Sequence, residues 1–254
     1  MKNIKITYAI AVVLTCSLAA RAQNLYVANL DANTVGEYNL NGSTVNASLI
    51  SGLSKPTAVA ISGGDLFVSS GDNNNYSVGE YTTGGTTVNA NLISGLNDPD
   101  GIAFLGSDLL VANYFGNSIG EYTTSGQAVN ASLITGLNNP TAIAISGSDM
   151  FIANQGNGTI GEYTLSGSTV NASLITGLGG PGGIAISGND MFVANNGNGT
   201  IGEYTLSGGV VNADLISGLD SPGFIAISPV PEPSTGVLAV LGAAVLWLWR
   251  RRYA

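Results

Sequence analysis

The sequence predicts an all-β fold, a five-bladed β-propeller of four-stranded blades. The tripeptide Gly-Glu-Tyr recurs at intervals of about 41 residues, and short β-branched segments alternate with glycine- and asparagine-rich turns in every repeat. Repeats of roughly 40 to 45 residues that contain several short strands are typical of propeller blades. The same composition argues against a helical solenoid of similar period. The five repeat tyrosines are Tyr38, Tyr81, Tyr122, Tyr163 and Tyr204.

The repeat that begins at Pro140 shows the four strands of a blade. "PTAIAIS", Pro140–Ser146, alternates large and small residues, as suits an inner strand beside a narrow axis. Met150–Ala153 is an apolar second strand, Thr159–Tyr163 the third and Val170–Ile175 the fourth, each separated from the next by a turn or loop. Both faces of a blade meet neighbouring blades, which accounts for apolar runs without strict alternation.

The phase of the repeats predicts how the ring closes. The first repeat starts at a second strand, "NLYVAN", and the last one is followed by an inner-strand pattern, Gly223–Ser228. We expect Phe224–Ser228 to pair beside Leu25–Asn29 and complete one composite blade, because closure removes the free edges of the sheet. The alternative is an incomplete six-bladed ring, which is less favoured because all four strand types occur five times.

The amino-terminal segment has the pattern of a secretory signal peptide. Lys2 and Lys5 precede an apolar stretch, and Ala20 and Ala22 provide a small-x-small cleavage site. We therefore expect a signal peptide at residues 1–22 and the propeller at residues 23–229. Cys16, the only cysteine, lies within the signal peptide, so the mature chain has no thiol, disulfide or cysteine metal site.

The carboxyl-terminal segment, residues 230–254, differs from the repeats. It contains a Pro-Glu-Pro triplet, a short apolar run and a basic cluster: Pro231, Glu232 and Pro233, then Arg250, Arg251 and Arg252. The apolar run predicts a short membrane helix at about 235–249, with the arginines on the cytoplasmic side.

These three parts, in this order, resemble the PEP-CTERM sorting signal of Gram-negative bacteria. The resemblance implies export across the inner membrane, transient inner-membrane anchoring and recognition by an exosortase-type processing protease. It further implies a final location at the cell surface or in the extracellular space, often in bacteria that make extracellular polysaccharide.

The repeats, with "IAIS" inner strands and "FVAN" second strands, resemble NHL-type and streptogramin-lyase-like propellers. The resemblance covers Gln23–Ser228 and concerns architecture. An NHL repeat usually has aspartate after the "VA" of its second strand. Here that position is Asn29, Ser70, Asn113, Asn154 and Asn195.

Composition restricts the chemistry that the propeller can perform. The chain has no histidine, and Lys55 is the only basic residue between residues 23 and 229. A histidine base, a thiolate or an arginine clamp is therefore excluded there, and so is the histidine-dependent activity that the streptogramin-lyase resemblance implies.

We expect a non-catalytic exported protein without a cofactor or metal site that binds or builds matrix polysaccharide. The alternative is a Ca²⁺-dependent lactonase or hydrolase, since Asp, Asn and Glu oxygens can bind Ca²⁺. Three such oxygens converging in the central channel would favour the enzyme, whereas apolar or small side chains would favour the binding module.

Charge restricts the partners. The whole chain has a net charge of −9, and of its 16 acidic residues only Glu232 lies outside residues 23–229. The propeller would repel nucleic acid and acidic membranes, but not neutral glycans or cations. The five strand-three glutamates suggest either a cation-binding ring or carboxylates satisfied by backbone donors and solvent, and the second reading is favoured.

One face of the propeller is the candidate ligand-binding face. It receives the loops between second and third strands, where Tyr114 and Phe115 replace the Gln-Gly and Asn-Gly of later repeats. Exposed aromatic rings beside amides are suited to stacking on and hydrogen-bonding a sugar. Alternatively, Phe115 folds down and caps the blade edge. The other candidate residues are Asn113, Asp72, Asn154 and Asn195.

Overall fold

A computed structural model describes residues 24–39, 41–72 and 75–225, and it contains nineteen β-strands and no helix within these ranges. The predicted signal peptide lies outside the described residues, as does the predicted sorting signal. Both remain predictions at the level of structure.

The strands form five blades that follow one another along the chain. The first blade contains β1 (Asn24–Asn29), β2 (Thr34–Asn39) and β3 (Thr44–Ser51). The second contains β4 (Ala58–Ser62), β5 (Asp65–Asp72), β6 (Asn75–Thr82) and β7 (Thr87–Ser94). The third contains β8 (Pro99–Leu105), β9 (Asp108–Asn113), β10 (Ser118–Thr123) and β11 (Ala128–Thr135). The fourth contains β12 (Pro140–Ser146), β13 (Asp149–Asn154), β14 (Thr159–Thr164) and β15 (Thr169–Ile175). The fifth contains β16 (Pro181–Ser187), β17 (Asp190–Asn195), β18 (Thr200–Thr205) and β19 (Val210–Ile216).

Every blade is an antiparallel meander in which each strand pairs with the next one in sequence. The inner strands β4, β8, β12 and β16 lie side by side around the axis, and the fourth strands form the exposed rim. This arrangement confirms the predicted all-β fold and the five-bladed propeller.

The hydrophobic core lies between blades. At the first interface, Val35 and Ile50 of the first blade pack against Leu66, Val68 and Tyr81 of the second. Val35, Leu66 and Val68 have no exposed surface. Because both sides of a blade enter such interfaces, the second strands are apolar nearly throughout, as the sequence indicated.

The Gly-Glu-Tyr signature has a packing cause. In the fourth blade the ring of Tyr163 lies across Gly161, so that a Cβ on Gly161 would come within 2.7 Å of Tyr163 Cε2. The same contact recurs in all five blades: Gly36 with Tyr38, Gly79 with Tyr81, Gly120 with Tyr122, Gly161 with Tyr163 and Gly202 with Tyr204. Glycine is required because any side chain would displace the tyrosine from the interface between blades.

The junction between the first and last blades is the least buried part of the described ring. Leu25 and Val27 of β1 are 45% and 43% exposed, whereas their counterparts Leu66 and Val68 are fully buried. Ile216 of β19 is 48% exposed, against 3% to 4% for the equivalent isoleucines of the other blades.

Residues 223–225 lie where an inner strand belongs. A Cβ on Gly183 of β16 would lie 2.5 Å from the Gly223 oxygen, just as a Cβ on Gly101 of β8 would lie 2.5 Å from the Thr141 oxygen of β12. Among the described residues, however, β1 pairs only with β2. Residues 226–228 lie outside the described ranges, so the pairing of Phe224–Ser228 with Leu25–Asn29 stays a prediction.

Candidate ligand-binding face

The meander places two kinds of connection at opposite ends of each blade. The links between blades and the loops between second and third strands emerge at one end, which we call the loop face. The turns between first and second strands and between third and fourth strands emerge at the other, which we call the turn face. Tyr114 and Phe115 follow β9 and therefore lie on the loop face.

Tyr114 and Phe115 form an aromatic pair held by its surroundings. Their ring centroids are 5.0 Å apart in an edge-to-face arrangement. The Tyr114 hydroxyl donates a hydrogen bond to Gln155 Oε1 at 2.9 Å, while Phe115 is 57% exposed. Phe115 therefore does not fold down to cap the blade, and the alternative interpretation of this residue is wrong.

The backbone of the aromatic loop is fixed by the links on either side. The Tyr114 amide donates to the Asp98 carbonyl at 2.8 Å, and Asn139 Nδ2 donates to the Tyr114 carbonyl at 3.3 Å. Asn117 adopts a positive φ of 51° and its Oδ1 accepts from the Asn139 amide at 2.8 Å. The exposed ring of Phe115 is thus presented by a loop whose ends are hydrogen-bonded to neighbouring blades.

Two carboxylates lie beside this pair, at Asp98 and Asp100. Burial, and then the charge of Asp98, raise the pKa of Asp100 to about 7. Burial also raises the pKa of Asp98, while Lys55 opposes that shift. Burial first, and then the charges of Asp100 and Asp98, raise the pKa of the Tyr114 hydroxyl. Asp98, Asp100 and Gln155 were not among the candidate residues predicted from the sequence.

The three asparagines proposed for the site are buried. Asn113, Asn154 and Asn195 are 5%, 3% and 2% exposed. Asn113 Oδ1 accepts from the Asn97 amide at 3.4 Å, and Asn154 Oδ1 accepts from the Asn138 amide at 3.3 Å, so both tie the link between blades to the end of a second strand.

Asn195 differs from these two, since its Oδ1 has no hydrogen-bond partner within the described structure. Its Nδ2 donates to Thr200 Oγ1 at 3.3 Å. All three asparagines lie beneath the loop face, where a ligand resting on the surface does not reach them.

Asp72 lies on the loop face at the end of β5. Its carboxylate is 3.7 Å from the ammonium group of Lys55. Asn73 and Asn74, the next residues of the insertion in this loop, lie outside the described ranges. Asp72 and Lys55 therefore form an ion pair at the surface of the loop face.

The central channel is a cavity of about 410 Å³. Its walls are short segments of the inner strands together with β1 and residues 224–225, and they are almost wholly apolar or small. Thr57 and Tyr26 are the polar side chains among the lining residues. Among the residues that the structure describes, no Asp, Asn or Glu lines the channel, and no group of three acidic, histidine or cysteine side chains is placed to hold a metal ion.

The strand-three glutamates form pairs with the aspartates at the turn face. Glu80, Glu121 and Glu162 each have a raised pKa, caused first by burial and then by Asp65, Asp108 and Asp149, respectively. Each pair spans two adjacent strands of one blade, so the carboxylates do not converge on the axis. In the first blade Asn24 replaces the aspartate and donates to Glu37 Oε1 at 2.5 Å.

Comparison with known proteins identifies the carboxyl-terminal segment. Residues 229–252 match the family described as the PEP-CTERM protein-sorting motif. The chain carries a PEP-CTERM sorting motif. This motif confirms the resemblance seen in the sequence, indicates export with membrane-associated sorting, and implies processing by an exosortase. The described ranges themselves contain no helix that is long and apolar enough to cross a bilayer. A comparison with curated proteins found no match.

Solved structures share the propeller fold at low sequence identity. A streptogramin B lyase is 22% identical, with a TM-score of 0.64 over 82% of this chain and 70% of that one. A catalytically inactive histidine-to-alanine variant of virginiamycin B lyase from Staphylococcus aureus, crystallised with quinupristin, is 22% identical with a TM-score of 0.61 over 80% and 77%. A gluconolactonase from Xanthomonas campestris is 10% identical with a TM-score of 0.57 over 68% and 65%. These similarities establish the fold alone.

Proposed function

We propose that this protein is an exported, non-catalytic binding module that holds neutral matrix polysaccharide on its loop face. The observation that carries the proposal is the aromatic pair, in which Phe115 is 57% exposed although its loop is fixed by hydrogen bonds to both neighbouring links. A rigid exposed ring can stack on the apolar face of a sugar with little loss of side-chain entropy on binding.

The polar groups around the pair support the same function. The carboxylate of Asp98, whose backbone carbonyl accepts from the Tyr114 amide, can accept hydrogen bonds from sugar hydroxyls. The excess of acidic residues over the single Lys55 in residues 23–229 disfavours an anionic glycan. The proposed ligand is therefore uncharged. The proposed destination of the protein is the extracellular matrix or the cell surface.

The channel supports a binding module rather than an enzyme. The lyase and the lactonase show that this fold can accommodate catalysis. Among the described residues, however, the channel lining offers no converging Asp, Asn or Glu oxygens for Ca²⁺, and Tyr26 is its one titratable side chain. The lyase variant that has lost a histidine is described as inactive, and this chain contains no histidine.

The proposal is tested by retention of residues 23–229 on immobilised neutral polysaccharides and on the native exopolysaccharide. Replacing Phe115 by Ala should reduce retention at least about tenfold, roughly 1.4 kcal/mol, because the exposed ring supplies the stacking surface. The melting temperature should change little, since most of that ring faces solvent.

The matched control is Val129→Ala, which shortens an exposed side chain on the rim of the same blade. Equal retention of wild-type protein and the Phe115 variant, or no retention of the wild type on any of these polysaccharides, would refute the proposal.

A further inference from the structure

The described chain begins at the turn face. Asn24, the first residue of β1, pairs with Asn39, the last residue of β2. Asn39 also begins the turn to β3, since its carbonyl accepts from the Gly42 amide at 2.9 Å. The segment that precedes the propeller therefore joins it at the turn face, opposite Tyr114 and Phe115.

The other end of the described chain runs toward the same face. Gly223–Ile225 lies beside Gly182 and Gly183 of β16 in the way that Thr141–Ala142 lies beside Gly101 of β8. The sequence "PGFIAIS" that contains it repeats the "PGGIAIS" of β16, which starts at the loop face and ends at the turn between β16 and β17. At Ile225 the chain is therefore directed toward the turn face, four positions before the sorting motif begins at residue 229.

We infer that the propeller, while held by its sorting motif, has its turn face toward the membrane and its loop face directed outward. Pro229–Thr235 separates the propeller from the apolar run and spans at most about 25 Å even when fully extended. An inner strand such as β16 is itself about 23 Å long. This segment, which we call the tether, keeps the turn face near the bilayer. Phe115 is then farther from the bilayer by the height of one blade.

The charges of the turn face determine how it meets the lipid. The Asp65–Glu80, Asp108–Glu121 and Asp149–Glu162 pairs lie at or near this face on adjacent, paired strands, and each aspartate raises the pKa of its glutamate. Lys55, the only basic residue of the described ranges, lies at the loop face beside Asp72. An anionic membrane therefore repels the turn face within the Debye length of about 8 Å at physiological ionic strength.

The consequence is an upright, tethered propeller that does not adsorb to the bilayer. Once the Pro229–Thr235 tether is cut, no basic residue among those the structure describes on the turn face attracts the propeller to anionic lipid, and we expect the protein to leave the membrane. This orientation requires that the sorting motif be in the membrane, and it does not depend on the proposed binding of polysaccharide.

Single-cysteine labelling of the full chain tests the orientation. Cys16 is the only native cysteine, so a Cys16→Ser background accepts one reporter at a time. Ser148→Cys places a fluorophore on an exposed turn of the turn face, and Asn97→Cys places one on an exposed link of the loop face. Both chains are reconstituted into phosphatidylcholine and phosphatidylglycerol vesicles that contain a fluorescent acceptor lipid.

Energy transfer to the lipid should be clearly higher from position 148 than from position 97. Equal or reversed energy transfer would overturn the inferred orientation. Failure of the chain to float with the vesicles would overturn the premise of the inference, which is that the motif anchors the chain. A chain of residues 23–229, which lacks both the predicted signal peptide and the sorting motif, is the control: it should not float with the vesicles, and flotation of this chain would show that the propeller itself binds lipid, contrary to the inference.

Discussion

Asp100 is the one charged residue at its position in the repeat. The equivalent position of the other inner strands is Thr57, Thr141, Gly182 or Gly223, all uncharged. Thr57 and Thr141 donate to the carbonyls of Pro99 and Pro181, respectively, and so join adjacent inner strands. An acid at this position cannot do the same when ionised, and its burial raises its pKa to about 7.

The raised pKa of Asp100 predicts a pH dependence of stability. The folded-state pKa is about 7, whereas an unfolded aspartate titrates near 3.9, so the folded state keeps a proton that the unfolded state loses. The free energy of unfolding should therefore fall as the pH rises from about 4 to about 7 and remain lower above that range.

Asp100→Asn removes this penalty. We expect the variant to be more stable than the wild type at pH 8 by an amount on the order of 1 to 3 kcal/mol, with the gain disappearing near pH 4. Urea denaturation across this pH range measures it, with the exposed Asp31→Asn as the control. A gain that is the same at pH 4 and pH 8 would contradict the assignment.

The third strand is the element that determines how blades pack. Each one carries a glycine under a tyrosine, and Tyr81, Tyr163 and Tyr204 are only 4% exposed. Between its third and fourth strands each blade has a register shift at the Glu-Tyr step, as in β14 and β15. The repeated tripeptide is thus a packing motif, and its glutamate lies on the strand between two residues needed for the fold.

Gly161→Ala tests the packing motif. A Cβ at this position would come within 2.7 Å of the Tyr163 ring, so we expect a loss of about 1 to 3 kcal/mol in the free energy of unfolding. Gly64→Ala is the matched control, because nothing lies within 4 Å of a Cβ there. In a Tyr163→Ala background the Gly161→Ala substitution should cost much less; the same loss in both backgrounds would show that the tyrosine is not the cause.

The whole molecule is a ring whose junction contains residues from both ends of the propeller. Residues 223–225 lie against β16, yet the apolar side chains of β1 and β19 at the junction remain half exposed in the described ranges. A closed ring buries those side chains in the manner of the four internal interfaces. Closure therefore couples the last residues of the propeller to the stability of its first blade.

Removal of the closing strand should destabilise the propeller. We compare a chain of residues 23–229 with one of residues 23–222 and expect the shorter chain to be less stable by at least about 2 kcal/mol, because apolar burial at the junction is lost. Calorimetric melting and binding of an apolar dye measure the difference. If both chains melt at the same temperature, Phe224–Ser228 does not complete the first blade.

The sequence predicted those features of the fold that arise from local, repeated patterns of residues. The 41-residue period, the strand order within a blade and the apolar second strands all follow from patterns of neighbouring residues, and the structure has them at the predicted places. The sorting motif at residues 229–252 was also predicted from the sequence, since its three parts are contiguous.

The candidate site was only partly predictable, because its members are brought together from different blades. Tyr114 and Phe115 were recognisable as large rings in a polar loop. Gln155, which accepts from the Tyr114 hydroxyl, belongs to the next blade. The signal that could have found it is the blade period itself, since Gln155 is the counterpart of Tyr114 one repeat later.

By itself, the sequence determined the all-β repeat fold, the absence of histidine and cysteine from residues 23–229, and the PEP-CTERM motif that indicates export, because composition, period and contiguous motifs need no tertiary contacts. Only the tertiary structure decided which polar residues are accessible. It buried Asn113, Asn154 and Asn195 under the links between blades and left Phe115 exposed. It also placed Gln155 against the Tyr114 hydroxyl. Burial and proximity are properties of packed blades, which a linear pattern of residues does not contain.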